Sequence, residues 1–388
     1  MLARKKSSAS QRSDASFNTE TTQTPSDQQP RELKSAPYQN PSYPTMLETL
    51  GDSYMKKSPL GITDASKALY EDLLERVCTT PKGTLFDDHV FDKACQNVQD
   101  KNEPRIILDF ARLLAPSPES LAAFGATDLD ILVESVNAGW NNSIPITSPR
   151  PQPDFAVGFR ETVFSDDQLC KIQPLLGDFS SLSYFRATYD MFFPFLTSEV
   201  KSGAIGLDLA DRQNAHSMTL AVRGIVGLFK LGNREKELDR ELLTFSISHN
   251  HREVRLYGYY PVFEGSKTKI HRHPIHAFDI TALNGKERWT TYKFTVAVYY
   301  YSLTLLKRIR SLVDDLPPDF ALELCQQSGT QLSEPSGLSH SPGLSQQLGN
   351  QVLAEIPDPQ PSRPDSRQIT PDTSTEAKSA PKKKKKKV

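Results

Sequence analysis

The chain has 388 residues, of which 37% are hydrophobic, with 46 basic and 47 acidic side chains. The low apolar share excludes a packed core along the whole length. A net charge of −1 excludes a chain-wide basic field, so any nucleic-acid contact must rest on local patches. Four cysteines, Cys78, Cys95, Cys170 and Cys325, lie far apart without a Cys-x-x-Cys pair. That spacing fits neither a zinc cluster nor a dense disulfide framework, and it suits a reducing compartment.

Residues 1–44 are rich in Ser, Thr, Gln and Pro and read as a disordered tail, because they offer little apolar surface to offset ordering entropy. The opening "MLARKKSSASQRSDAS" has no apolar h-region, so secretion is not expected. Residues 46–145 read as a helical region packed on the core. In "SKALYEDLLERV", Leu69, Leu73, Leu74 and Val77 recur at helical spacing, with Thr63 or Asp64 as the cap. "PRIILDFARLLAP" repeats the pattern through Ile107, Phe110, Ala111 and Leu114. "TDLDILVESVNAGW" continues it with Leu129, Leu132, Val133 and Val136, and Gly139 suits a C-terminal cap.

The period then changes, and residues 146–316 read as the core domain. "DFAVGF" after a proline-rich run and "MFFPFLTSEVK" are strand-like. "LDLADRQNAHSMTLAVRGIVGLFKL" predicts a long helix. "ELLTFSISH" and "EVRLYGYYPVF" predict a hairpin turning at residues 249–252. "ERWTTYKFTVAVYYYSLTLLKRIRSLV" predicts a closing helix before Pro317. This order implies an α/β (α+β) fold, a mixed sheet flanked by helices. The longest apolar stretch, Phe294 to Leu306, falls short of the ~20 residues that span a bilayer, so no membrane is expected. Residues 326–388 return to tail composition and read as disordered.

Asp154 opens the first core strand, and Glu199 and Lys201 close the second. Side chains alternate along a strand, so Glu199 and Lys201 share a face, and Asp154 joins them if the strands are neighbours. Two carboxylates and the Val200 carbonyl make a hard oxygen donor set suited to Mg²⁺. A metal there acidifies bound water and neutralises phosphate, and Lys201 orients the water or stabilises the transition state. The bland alternative is a solvated strand end with Asp154 in a turn.

"PQPDFAVGF", then "FLTSEVK", then a long helix resembles the PD-(D/E)XK nuclease superfamily. The resemblance covers about residues 130–315. It implies a restriction-endonuclease-like mixed sheet and metal-dependent phosphodiester hydrolysis of DNA or RNA. Asp154, Glu199 and Lys201 match its motif. Glu134 stands where many members carry a further metal-binding glutamate in the preceding helix, and Gln213 where some carry a catalytic glutamine. Ser217 occupies the place of the tyrosine that often follows, and the interval between the motifs holds an insertion, Glu161 to Tyr184. The alternative within the same fold is a catalytically inactive module that binds nucleic acid or a nuclear partner. The stretches "SYMKKSPLG" and "DLADRQNAHSMTLAVR" also resemble a fungal family without assigned function.

Histidines cluster at His249, His251, His271, His273 and His276. Without a nearby Cys or a His-Glu-x-x-His helix, they read as two neighbouring loops touching phosphate or solvent rather than as a zinc centre. Arg212, Arg223, Lys230, Arg234, Lys236, Arg252, Arg255, Lys267, Lys269, Arg272 and Arg288, with Tyr257, Tyr259 and Tyr260, suggest a phosphate-tracking, base-stacking surface. Interleaved acids favour ordinary solvated faces instead. The chain ends in "PKKKKKKV", where Lys382, Lys383, Lys384, Lys385, Lys386 and Lys387 resemble a nuclear-import signal read by an import receptor. A nonspecific nucleic-acid tail and a membrane-surface contact are the alternatives, the latter without a lipidation motif. The expected location is therefore the nucleus, otherwise the cytoplasm.

Overall fold

The computed structural model describes residues 36–317. The disorder expected of the outer parts of both tails, the polylysine and Cys325 fall outside the described residues. The period-two stretches form one mixed sheet of seven strands: β1 (Ser53–Tyr54), β2 (Leu132–Val136), β3 (Phe155–Phe159), β4 (Phe192–Val200), β5 (Thr244–His249), β6 (Glu253–Glu264) and β7 (Lys267–Asp279). Their order is β1-β7-β6-β5-β4-β3-β2. β4–β5 and β1–β7 are parallel, and the remaining pairs are antiparallel.

Among the described residues, seven helices of six residues or more flank the sheet: α1 (Tyr43–Gly51), α2 (Asp64–Glu75), α3 (Phe91–Val98), α4 (Pro118–Ala123), α5 (Asp166–Leu176), α6 (Asp208–Leu231) and α7 (Thr290–Asp315). The expected mixed sheet flanked by helices is thus the architecture found. Thr63 caps α2 by accepting from the Ser66 amide at 3.1 Å. The β3–β4 insertion carries α5, which opens with a reciprocal Ser165/Gln168 capping box. Among the described residues no helix is long and apolar enough to cross a membrane.

Three expectations need correction. Residues 132–136 are not helical: after one short turn they form β2, with Val136 opposite Phe155. Five residues containing two valines match a strand as well as a helix face, and pairing with β3 decides between them. β1 and β2 therefore carry the core sheet across the expected boundary at residue 145. Residues 267–279 are a strand too, hidden in the sequence by their Lys, His and Arg content. Finally, order begins before residue 44, since Tyr38 and Tyr43 are buried.

Alternation gives the sheet two different faces. Register places Phe155, Val157, Leu196, Phe245 and Ile247 on one of them. There Phe245 packs edge-on against Phe294 and Tyr301 of α7, with ring centroids 5.9 and 5.8 Å away. The other face lies under α6 and is largely polar. The β3–β4 register depends on Gly158, because a Cβ there would lie 2.6 Å from Met191 Cγ and 2.8 Å from the Phe192 carbonyl oxygen.

Candidate functional site

Phe155 pairs with Ser198, so one step further Asp154 stands opposite Glu199. The Val200 amide donates to Asp154 Oδ2 at 2.8 Å and fixes that carboxylate across the strand gap. Lys201, two residues beyond Glu199 on the same face, turns back over both acids. Its Nζ lies 3.4 Å from Glu199 Oε2 and 4.0 Å from Asp154 Oδ2, and donates to the Val200 carbonyl at 2.8 Å. The three side chains meet, and their residues are only 4%, 1% and 3% exposed for Asp154, Glu199 and Lys201. Two carboxylates and one ammonium thus meet in surroundings where a charge left unpaired would be costly.

Helix α6 roofs this face. Asn214 anchors it: Thr197 Oγ1 donates to Asn214 Oδ1 at 2.7 Å, and Asn214 Nδ2 donates to Ile247 O at 2.9 Å and Ser248 Oγ at 3.0 Å. Gln213 sits beside it with a buried Oε1 that has no hydrogen-bond partner. At the start of α6, Arg255 of β6 donates to Asp208 (2.8 Å) and Asp211 (2.9 Å), and the Tyr257 hydroxyl donates to Asp211 at 3.0 Å.

Two histidines border the cluster. The Ile146 amide donates to His216 Nε2 at 3.3 Å, so the ring proton is on Nδ1, which donates to the Tyr38 hydroxyl at 2.9 Å. Burial, and then Arg223, push His216 down to about 3, so it is neutral. His249 Nδ1 lies 3.2 Å from the Asn250 carbonyl and must donate to it, leaving Nε2 a buried lone pair without a partner. Burial holds His249 down to about 4; Asp154 and Lys201 act on it in opposite directions. Burial, then Tyr43 and then Glu199, raise the Tyr38 phenol well above its ordinary range.

Glu134 does not join the acids. It pairs with Val157, which places it on the opposite face of the sheet, where Arg112 holds it through two bonds of 2.8 and 3.2 Å. A glutamate read as helical turns up on a strand, and strand parity sends it away. Among the described residues no group of three or more His, Cys, Asp or Glu is placed to hold a metal ion. What remains is the oxygen set of Asp154, Glu199 and the Val200 carbonyl, which fits Mg²⁺ in type.

The histidine runs are not exposed loops. His271 and His273 lie within β7 and are buried, as are His249 and His251, while His276 meets Glu287 at 2.8 Å. Nor do the arginines form an open basic track. Arg234, Arg252, Arg255 and Arg288 each pair with acids. Tyr259 and Tyr260 are buried and cannot stack on a base. Tyr38, His216 and Asn214 carry roles that no short motif announces. Only the tyrosines in the otherwise polar "APYQNPSYP" hinted at burial.

One residue beyond Lys201 a cleft of about 990 Å³ opens at the C-terminal ends of the parallel pair β4–β5. Lys101, Ser202, Gly203, Asn250, His251 and Arg252 are among its walls. Crevices at the carboxyl ends of parallel strands are habitual ligand sites in open sheets.

No curated protein and no solved structure matches the chain. A family model described as a domain of unknown function (DUF7924) matches residues 90–313, a span that includes β2 to β7, α6 and nearly all of α7. Because that match covers more than half of the 388 residues, the chain belongs to the DUF7924 family.

Proposed function

We propose that this chain is a metal-dependent phosphodiesterase acting on DNA or RNA. One observation carries the reading: Asp154 and Glu199 stand opposite each other on adjacent strands with the Lys201 ammonium against both. That is also the arrangement implied by the resemblance to PD-(D/E)XK nucleases. Asp154, Glu199 and the Val200 carbonyl would hold Mg²⁺; Glu134 faces the wrong way to contribute. Bound Mg²⁺ supplies Lewis acidity, lowering the pKa of water and neutralising phosphate charge. Lys201 offers a positive charge to the oxygen on which negative charge grows. The carboxylate of Asp154 is held in place by the Val200 amide. Gln213 Oε1, on α6, is a buried acceptor without a hydrogen-bond partner among the described residues.

The test is cleavage of single- and double-stranded DNA and of RNA by the full chain, with Mg²⁺ or EDTA. Cutting that needs Mg²⁺ and falls at least about a hundredfold in Lys201→Ala and Asp154→Ala is expected. Equal cutting by wild type and both variants would sink the assignment.

A second reading, a catalytically silent nuclease-fold module, draws on the burial of all three side chains and the loss of the third carboxylate to the other face. A stable nuclear partner, together with no Mg²⁺ binding and unchanged partner binding in Asp154→Ala, would favour it. In either reading Lys382 to Lys387 serve nuclear import. A fluorescent fusion should lose nuclear enrichment when those lysines become alanine.

A further inference from the structure

Lys201 and His249 are neighbours at the sheet's end, where the Lys201 amide donates to the His249 carbonyl at 2.9 Å. From there the chain leaves the sheet in two loops, 202–204 towards α6 and 250–252 towards β6. They start side by side and stay in contact, with the His251 ring laid against Gly203. A Cβ on Gly203 would lie 2.6 Å from His251 Cε1 and 3.0 Å from Nδ1, so glycine leaves the ring its place. Both loops, together with residues 99–102 after α3, wall the cleft of about 990 Å³.

His251 is 7% exposed, and neither ring nitrogen has a hydrogen-bond partner among the described residues. Nδ1 is fully buried beside Gly203, which leaves Nε2 as the nitrogen open to the cleft. Burial, then Arg252, hold the ring below its ordinary pKa, with Asp100 and Asp279 acting the other way, so it is neutral at neutral pH. A buried N–H without an acceptor costs more than a buried lone pair, so the proton belongs on Nε2. His251 thus offers the cleft an N–H donor with nothing to receive it. The other free groups in these walls are donors too. Asn250 Oδ1 accepts from the Arg252 and Glu253 amides at 2.7 and 2.8 Å, and its Nδ2 is unused among the described residues. The amides of Gly203 and Ala204 reach no acceptor among the described residues. Lys101 stands exposed in the same wall. The acids are mostly spent: Asp279 holds Arg252 through bonds of 3.1 and 2.6 Å, and Glu253 holds Arg255 at 3.0 Å. Asp100 is the exception, and Lys101, next to it in the chain, offsets its charge.

We infer that this cleft is a binding site for a phosphate group, with His251 Nε2–H as its most deeply buried donor and the Gly203 and Ala204 amides, Asn250 Nδ2 and Lys101 as the others. A tetrahedral phosphate presents acceptor oxygens in several directions, which suits donors arriving from three loops. The site stands on the cleft's own residues. That its phosphate belongs to a DNA or RNA strand rests on the phosphodiesterase reading.

Titration calorimetry on the full chain in EDTA, with inorganic phosphate, a mononucleotide and a short oligonucleotide as probes, tests the site without the metal. Binding should weaken about tenfold in His251→Phe, which keeps an aromatic ring and removes the N–H, and about threefold in Lys101→Ala. Near-ultraviolet circular dichroism of Trp140 and Trp289 checks the fold. Absence of binding by all three probes, or unchanged binding in folded His251→Phe, overturns the site. If His251→Phe does not fold, Lys101→Ala, altered at an exposed position, decides in the same way. An oligonucleotide bound more tightly than the mononucleotide supports the site with a strand as its ligand. Equal affinities support the site with a free phosphate ester as its ligand. Binding that depends on His251 in a chain that never cleaves keeps the site and removes the phosphodiesterase.

Discussion

The two faces of the sheet use the same strands for opposite purposes. Under α7 the face presents Phe155, Val157, Leu196, Phe245 and Ile247, and its cohesion is non-directional burial. Under α6 it presents Asp154, Thr197, Glu199, Lys201, Ser246 and Ser248, all at most 4% exposed. Each buried polar group there needs a partner, and the partners come from distant parts of the chain. The dry face therefore tolerates conservative change, whereas the polar side is exacting and leaves a buried group such as Gln213 Oε1 unsatisfied among the described residues. A face that costs stability in this way is where a function is most economically sought.

That contrast can be broken at several points. Phe245→Ala on the dry face should cost about 3–5 kcal/mol in urea unfolding, with Lys201 chemistry unchanged in the protein that remains folded. On the polar face Lys201→Met should cost ~3–5 kcal/mol by leaving two carboxylates without their cation. The triple change Asp154→Asn, Glu199→Gln, Lys201→Met should recover most of that loss. If the triple variant is the less stable, the cluster is a net structural asset and not a functional expense.

Acid should weaken the polar side first. His216 is held near 3 by burial, against ~6.5 in an unfolded chain. Between those values the unfolded chain binds a proton that the folded chain refuses. Stability is thus full above about 6.5 and declines as pH falls toward about 3, by a few kcal/mol at most. Urea midpoints measured from pH 7 to pH 4 should drop, and drop less steeply in His216→Gln; an identical slope would mean other groups carry the effect. Asn214→Ala should cost ~1–3 kcal/mol, since it strands Thr197 and unties α6 from β4 and β5. The smallest change is expected at Glu134→Gln. Its pair with Arg112, whose side chain is 44% exposed, contributes under about 1 kcal/mol, and its position on the far face predicts undiminished cleavage.

Much of this was legible residue by residue. The long helix from Asp208, the hairpin around residues 249–252 and the closing helix from Thr290 follow from periodicity strong enough to survive without context. Asp154, Glu199 and Lys201 were legible too, because strand alternation is a local rule. Glu134 was misplaced for a related reason. Five residues with two valines satisfy either period, and only the β3 register fixes which face a glutamate takes. β7 was missed because His, Arg and Lys mask a strand whose pairing partner, β6, supplies its order. The burial of Tyr38 and Tyr43 was missed because composition averages over them, while burial acts on each ring separately.

The sequence by itself determined the elements with strong period, the share of chain able to form a core, and the acids and lysine that share a strand face. These depend on neighbours within a few residues. Only the tertiary structure decided that Asp154 stands opposite Glu199, that Glu134 turns away, and that Tyr38 reaches His216 across 178 positions of chain. Such choices are settled by register and by where each buried polar group finds its partner, and neither is written in any local stretch of residues.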